Sequence, residues 1–257
     1  MAILKLHYKK YGESGDVVFI LHGLFGMLDN WHNIARALSE RFQVYSIDAR
    51  NHGQSPHSSE MGYSIMAADV MALADDLEIR QFILMGHSMG GKTAMLCALM
   101  HPERIQKLVV VDIAPKAYKP GHAVYFRAFE EIPWHTLETR KAIDEALSAY
   151  EDNAGVRLFL AKNIDRLETG GFAVKSNVPA IKAAYNEIIG SYPLHGIYAQ
   201  PALFVTGADS AYLLESDKAA INSHFTKAVY KQIPNAGHWV HADNPSVFLA
   251  VLSEFLS

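Results

Sequence analysis

The chain has 257 residues, is 50% hydrophobic and 19% charged, and carries a formal charge of −4. That composition describes a globular protein long enough to bury a sizeable core, and it excludes disordered and fibrous classes. No Lys/Arg block points to nucleic acid, and no apolar run approaches the ~18 residues of a membrane span.

The single cysteine, Cys97, allows no intrachain disulfide. With no signal-peptide-like apolar core in Met1–Lys10, it gives a cytoplasmic expectation.

Residues 3–9 and 17–22 read as strands. Val17-Val18-Phe19-Ile20-Leu21 is a continuous apolar run, the pattern of a strand covered on both faces. It ends in His22-Gly23-Leu24-Phe25-Gly26, where glycines allow close backbone approach. A helix is expected around 31–40, then a strand over 43–47. The polar stretch Asp48-Ala49-Arg50-Asn51-His52-Gly53-Gln54-Ser55 follows. Asp48 and Arg50 read as a buried pair that fixes this loop, and His52 reads as structural. Met66, Val70, Leu73 and Leu77 recur at helical spacing and give one apolar face.

Gln81-Phe82-Ile83-Leu84-Met85 is the next buried strand. It runs into Gly86-His87-Ser88-Met89-Gly90, and residues 91–100 then read as a helix apolar nearly all round. A Gly-x-Ser-x-Gly between strand and helix is a nucleophile elbow, a strained turn that lifts the serine hydroxyl above the sheet. Cys97 falls in that helix as a packing residue. Proline at 102 stops the helix, and Lys107–Val111 is another apolar strand ending in Asp112-Ile113-Ala114-Pro115.

From 116 to 197 the alternation of strand and helix ceases. Helices are expected over 124–131, 137–150, 155–163 and 178–189. A hairpin-like piece at 167–174 turns on Gly170-Gly171. Alternation resumes with the strand 202–206, which ends in Gly207-Ala208-Asp209-Ser210. A helix over 212–223 and a last strand, 228–233, follow. Asn235-Ala236-Gly237-His238-Trp239-Val240-His241 leads to a closing helix with Val247, Phe248, Val251, Leu252 and Phe255 on one face.

A serine hydroxyl needs a histidine base, and the histidine needs a carboxylate that fixes its tautomer. In this chain order the acid precedes the histidine. His238, in a glycine-preceded loop after the last strand, is the expected base among 13 histidines, with His241 the nearest competitor. Two acids are available, Asp112 and Asp209, each at the end of an apolar strand. Asp209 stands where hydrolases generally carry the acid. The oxyanion donors expected are the backbone N–H groups of Leu24, or alternatively Phe25, and of Met89. Phe25 and Trp239 are expected to line the substrate site. No metal-ligand spacing or dinucleotide loop occurs, so no metal and no cofactor are expected.

Together, the segments 22–26, 48–53, 86–92, 111–115 and 237–242 resemble the YbfF-type bacterial esterases, relatives of the abhydrolase-domain proteins. The resemblance runs the length of the chain and is weakest over 116–197. It implies an α/β-hydrolase fold: an eight-stranded, mostly parallel sheet flanked by helices, with a helical cap. The core is then 1–115 with 198–257, and the cap is 116–197. It also implies Ser88 as nucleophile, His238 as base and Asp112 as acid. The family position matching Asp209 is commonly asparagine, so this chain departs there by carrying a second acid.

The expected activity is a serine esterase that cleaves short-to-medium acyl esters or thioesters through an acyl-enzyme, as a monomer or homodimer. Two alternatives are carbon–carbon bond hydrolysis on the same fold and a ligand-binding protein without turnover.

Overall fold

The computed structural model describes residues 2–257. Strands β1 (Tyr8–Tyr11) and β2 (Val17–Leu21) open the chain. A 3₁₀ turn at Leu28–Trp31 leads into helix α1 (His32–Leu38), and β3 (Gln43–Ile47) and α2 (Tyr63–Asp76) follow. The centre is β4 (Phe82–His87), α3 (Met89–Met100) and β5 (Ile105–Val111). These five strands, with two later ones, build one sheet.

Its order is β1-β3-β2-β4-β5-β8-β9, where β8 is Tyr198–Gly207 and β9 is Phe225–Ile233. Only the β1–β3 pairing is antiparallel. The sheet therefore has seven strands, one fewer than expected. Residues 2–7 are outside it because side chains take up their amides. Leu4 N–H donates to Asp69 Oδ1 at 2.8 Å, and His7 N–H donates to Ser55 Oγ at 2.8 Å.

Alternation along each strand divides the core between two faces. Phe19, Leu21, Leu84, Leu108, Val110 and Phe204 pack with α2 and α3. Val18, Ile20, Ile83, Met85, Val109 and Val205 pack with α1 and the C-terminal helix. Helix α3 sits inside this packing, which is why its sequence is apolar all round; Ala94, Met95, Cys97 and Ala98 are fully buried. Each large apolar side chain buried this way contributes about 1.5–3 kcal/mol.

Between β5 and β8 lie α4 (Ala123–Glu131), a 3₁₀ turn at Trp134–Thr136, α5 (Arg140–Leu147) and α6 (Ala154–Ala161). The hairpin β6 (Ile164–Arg166) and β7 (Phe172–Val174) comes next, then α7 (Val178–Ala183) and α8 (Tyr185–Ile189). The helix expected over 178–189 is thus two, broken at Ala184, and the one expected over 137–150 is shorter. These elements share an apolar cluster with Phe25, Met61, Tyr63 and Met89 of the sheet's C-terminal rim. Helix α9 (Lys218–Asn222) joins β8 to β9. The chain ends in α10 (Val240–Asp243) and α11 (Pro245–Leu256), with Pro245 in the first turn and Asn244 as its cap.

Strand β2 has β3 on one side and β4 on the other. The chain order reverses there, and the carboxyl ends of β2 and β4 form the crevice where open α/β sheets bind ligands.

Candidate active site

Ser88 sits between β4 and α3 with φ 52° and ψ −118°. A non-glycine residue held at such an angle costs on the order of 1–3 kcal/mol and persists only when its surroundings enforce it. They do so by close packing. A Cβ on Gly86 would overlap the Gly90 carbonyl, and one on Gly90 would lie 2.6 Å from the carbonyl oxygens of Leu21 and His22. Gly90 therefore lets α3 start directly against the end of β2. Met89 is the first residue of α3, so its N–H belongs to the first turn, where intrahelical partners are lacking.

The loop after β2 is fixed by two buried histidines. Ala49 N–H donates to His22 Nε2 at 3.0 Å, so His22 Nδ1 carries the proton, which it donates to the Gly23 carbonyl at 2.8 Å. Phe25 N–H donates to His52 Nε2 at 3.2 Å, and His52 Nδ1 donates to the Arg50 carbonyl at 2.9 Å. Burial pushes His22 down to about 4 and His52 to about 3, so both are neutral near pH 7. With its N–H held by His52, Phe25 is not available as an oxyanion donor. Among the described residues, no hydrogen bond takes up the Leu24 N–H.

Asp48 and Arg50 do not pair. Asp48 accepts backbone N–H groups from Leu28 and Gln54. Arg50 forms a two-pronged ion pair with Asp69, at 2.6 and 2.8 Å, with both side chains essentially inaccessible. The loop expectation put the carboxylate too close in sequence; the partner comes from α2.

Asp112, at the end of β5, is wholly buried with φ 50°. Its Oδ2 lies 2.7 Å from His238 Nδ1. It also accepts from the Ser210 hydroxyl at Oδ2, and from the Thr206 hydroxyl at 2.6 Å and the Gly207 N–H at 3.2 Å at Oδ1. Four donors around a buried carboxyl suit a carboxylate and leave it no free direction. Asp209 is exposed, and its carboxylate has no hydrogen bond or ion pair among the described residues. The turn that carries Asp209 thus supplies Gly207 and Ser210 to Asp112 and sends its own acid outward.

Two rings hold the His238 imidazole. Tyr212 stacks on it at 3.7 Å and His87 lies at 4.6 Å. His87 Nε2 donates to the His238 carbonyl at 2.8 Å. Burial, reinforced by His238 and His241, holds His87 far below the usual histidine range, so it acts as a neutral donor. With Nδ1 on Asp112, the His238 Nε2 is the nitrogen left for a substrate or Ser88. His241 is elsewhere: buried, stacked on Trp31 at 4.0 Å, and pushed down to about 3 by burial.

A cavity of about 270 Å³ is lined by Ser88, His238, Leu24, Phe25 and Trp239, with His122, Tyr125 and Phe159 from the excursion or its approach. Leu24, Phe25, Ser88, His238 and Trp239 thus come together, and Asp112 stands behind His238. Sequence reading missed His87, Thr206, Ser210 and Tyr212. Their contacts join residues far apart in sequence; His87 and Ser210 lay in stretches already singled out, but nothing local marked their partners. No group of three or more His, Cys, Asp or Glu that could hold a metal occurs among the described residues. No helix in them is long and apolar enough to cross a membrane. Cys97 is buried, which pushes its thiol up to about 12, a packing group rather than a nucleophile.

A sequence family described as the alpha/beta hydrolase fold matches residues 16–245. The mouse protein named sn-1-specific diacylglycerol lipase ABHD11 is 39% identical over 249 residues, covering 93% of this chain and 80% of the relative. Esterase YbfF of Escherichia coli K12 is 34% identical over 246 residues, covering 95% and 94%. A solved marine microorganism esterase superposes with a TM-score of 0.95 at 40% identity, covering 98% of this chain and 99% of that one.

Proposed function

The chain belongs to the alpha/beta hydrolase fold family, its relatives include named esterases and a lipase, and from that premise we propose that it hydrolyses carboxylic esters through an acyl-enzyme on Ser88. The observation that carries this reading is the 2.7 Å contact between Asp112 and His238 Nδ1, with His238 and the strained Ser88 facing one cavity.

Asp112 fixes the tautomer in which His238 Nε2 is the free base. His238 takes the Ser88 hydroxyl proton as Oγ attacks the ester carbonyl. The negative oxygen of the tetrahedral intermediate is met by the Leu24 and Met89 N–H groups, aided by the positive end of α3. His238 then returns the proton to the leaving oxygen as the carbon–oxygen bond breaks. Water repeats the cycle on the acyl-enzyme and frees the acid. No step calls for a metal or cofactor. The excursion at 116–197 acts as a cap that covers the cavity, with Phe25 and Trp239 in contact with substrate. A thioester fits the same steps. The single, buried cysteine fits a reducing, cytoplasmic setting.

Hydrolysis of p-nitrophenyl esters by the parent and by Ser88→Ala tests this. Loss of the nucleophile is expected to cost on the order of 10⁶ in kcat. A variant that keeps a tenth of the parent rate would remove Ser88 from the chemistry.

A further inference from the structure

Ser88 faces two cavities, not one. Besides the 270 Å³ cavity, it lines an adjoining chamber of about 30 Å³, which shares Leu24, His122 and Tyr212 with the first and is otherwise bounded by Tyr63, Lys92, Ile113, Tyr118 and Ile189. His238 lines the large cavity and is absent from the small one. An ester bound at Ser88 must divide its two halves between these spaces.

The division follows from proton transfer. The general acid has to reach the leaving oxygen within hydrogen-bond distance. His238 faces only the large cavity, so the alcohol half lies there. The acyl half then enters the small chamber. The opposite orientation would bury the leaving oxygen away from His238, the base that Asp112 orients.

Size sets the consequence. A water needs about 10–15 Å³ of such volume, so the chamber holds about two or three water-sized groups. That matches the carbon tail of an acetyl, propionyl or, at the limit, butyryl group. The leaving-group side has no such end. Val156, Phe159 and Trp239 separate the large cavity from an outer cleft of about 390 Å³ and line both.

The chamber is also held at its size. Lys92 Nζ donates to the Lys116 carbonyl at 2.8 Å and the Gly190 carbonyl at 2.6 Å. Lys116 opens the excursion and Gly190 caps α8 near its end, so one buried side chain ties both. Tyr63 hydroxyl donates to the Ile188 carbonyl at 2.7 Å and secures the same wall.

We propose that the small chamber is the acyl site, so that this enzyme selects short-chain acyl esters of bulky alcohols, with Lys92 as the positioning residue that sets the chamber's length. The proposal rests on the esterase reading above.

The test is two ester series measured with the parent, Ile189→Ala, Lys92→Met and, as blank, Ser88→Ala. One series varies the acyl chain from two to eight carbons on p-nitrophenol. The other holds acetate and varies the alcohol from ethyl to hexyl and 2-phenylethyl. In the parent, kcat/KM is expected to fall at least about tenfold from propionate to octanoate, and to hold or rise with alcohol size. Ile189→Ala should move the acyl cut-off outward by about two carbons. Lys92→Met should flatten the acyl profile while the alcohol profile keeps its shape.

A parent that hydrolyses octanoate as well as acetate overturns the proposal and leaves the esterase reading intact. So does an Ile189→Ala variant that folds but keeps the parent's acyl profile. A parent that hydrolyses no member of either series above the Ser88→Ala blank overturns both.

Discussion

The rim that carries Ser88, Leu24 and Asp112 and the excursion above it are held by different forces. In the rim, buried polar groups are bonded to one another across long stretches of chain. His22 and His52 accept the Ala49 and Phe25 N–H groups, His87 holds the His238 carbonyl, Asp112 receives four donors, and Arg50 is locked to Asp69. The excursion is built on aromatic and aliphatic packing around Phe126, Phe129, Trp134 and Phe172. Its caps are local, from Thr139, Asn153 and Asn177. The Lys182–Glu130 pair is exposed on both sides, and in Arg157–Asp144 the carboxylate is exposed; such surface pairs are worth about 0–1 kcal/mol each. Side-chain tethers join the two regions at Lys92, Tyr63, Tyr192, His57 and Asn177, and at Asn163, whose Nδ2 donates to the Phe25 carbonyl at 2.7 Å. Rigid polar bonding suits groups that must stay aligned through a reaction. Apolar packing tethered to the rim suits a wall whose shape selects the substrate.

That contrast breaks first at Asp112. Asp112→Asn is expected to lower kcat by about 10⁴, the size of effect seen when a triad histidine loses its carboxylate, with far-UV circular dichroism unchanged. Asp209→Asn should stay within about twofold of the parent. A reversal of these two would move the acid to the end of β8 and leave Asp112 as a packing group.

Stability sharpens the same contrast. Asp69→Asn leaves the Arg50 charge buried and should cost about 3–5 kcal/mol in urea unfolding. Glu130→Gln, in the excursion, should cost less than about 1 kcal/mol. Equal costs would mean that the rim is not the more tightly determined region.

The pH response is the gentlest probe. Burial lowers His22 to about 4 and His52 and His241 to about 3, against about 6.5 in the unfolded chain. Between those values the unfolded chain binds more protons than the folded one, so stability falls as pH drops from about 6.5. Each group adds at most about 1.4 kcal/mol per pH unit to that slope. His241→Phe removes one titrating group and keeps the ring on Trp31, so its Tm should decline less steeply from pH 6.5 to about 5. Identical slopes in parent and variant would show that His241 is not held neutral.

What the sequence made legible was local. The Gly86–Gly90 turn needs only its own strand, its own helix and the end of β2 beside it, so its chemistry is written in consecutive residues. The order of strands and the interruption at 116–197 follow from apolar periodicity. The acid could not be read this way, because Asp112 and Asp209 both end apolar strands and differ in what reaches them from elsewhere. Asp112 is distinguished by Thr206, Gly207 and Ser210, which β8 brings alongside β5. His87 was hidden for the same reason: its partner carbonyl belongs to His238, across the sheet's rim. The Asp48–Arg50 pairing failed because α2 offers Asp69 in better geometry, and the eighth strand failed because side chains claimed the amides of residues 2–7. After the break at Ala184, α8 is held to the rim by Tyr63, which bonds Glu187 and the Ile188 carbonyl, contacts without a local sequence signal.

The central claim is that Ser88 is an activated nucleophile, and covalent trapping tests it most directly. Parent, Ser88→Ala and Asp112→Asn would be treated with an alkyl phosphonate, followed by intact mass and peptide mapping. One adduct per chain, on the peptide containing Ser88, is expected in the parent as esterase activity disappears. Ser88→Ala should take up none, and Asp112→Asn should label far more slowly than the parent. An adduct on another residue, or a fully labelled Ser88 with esterase activity retained, would contradict the account.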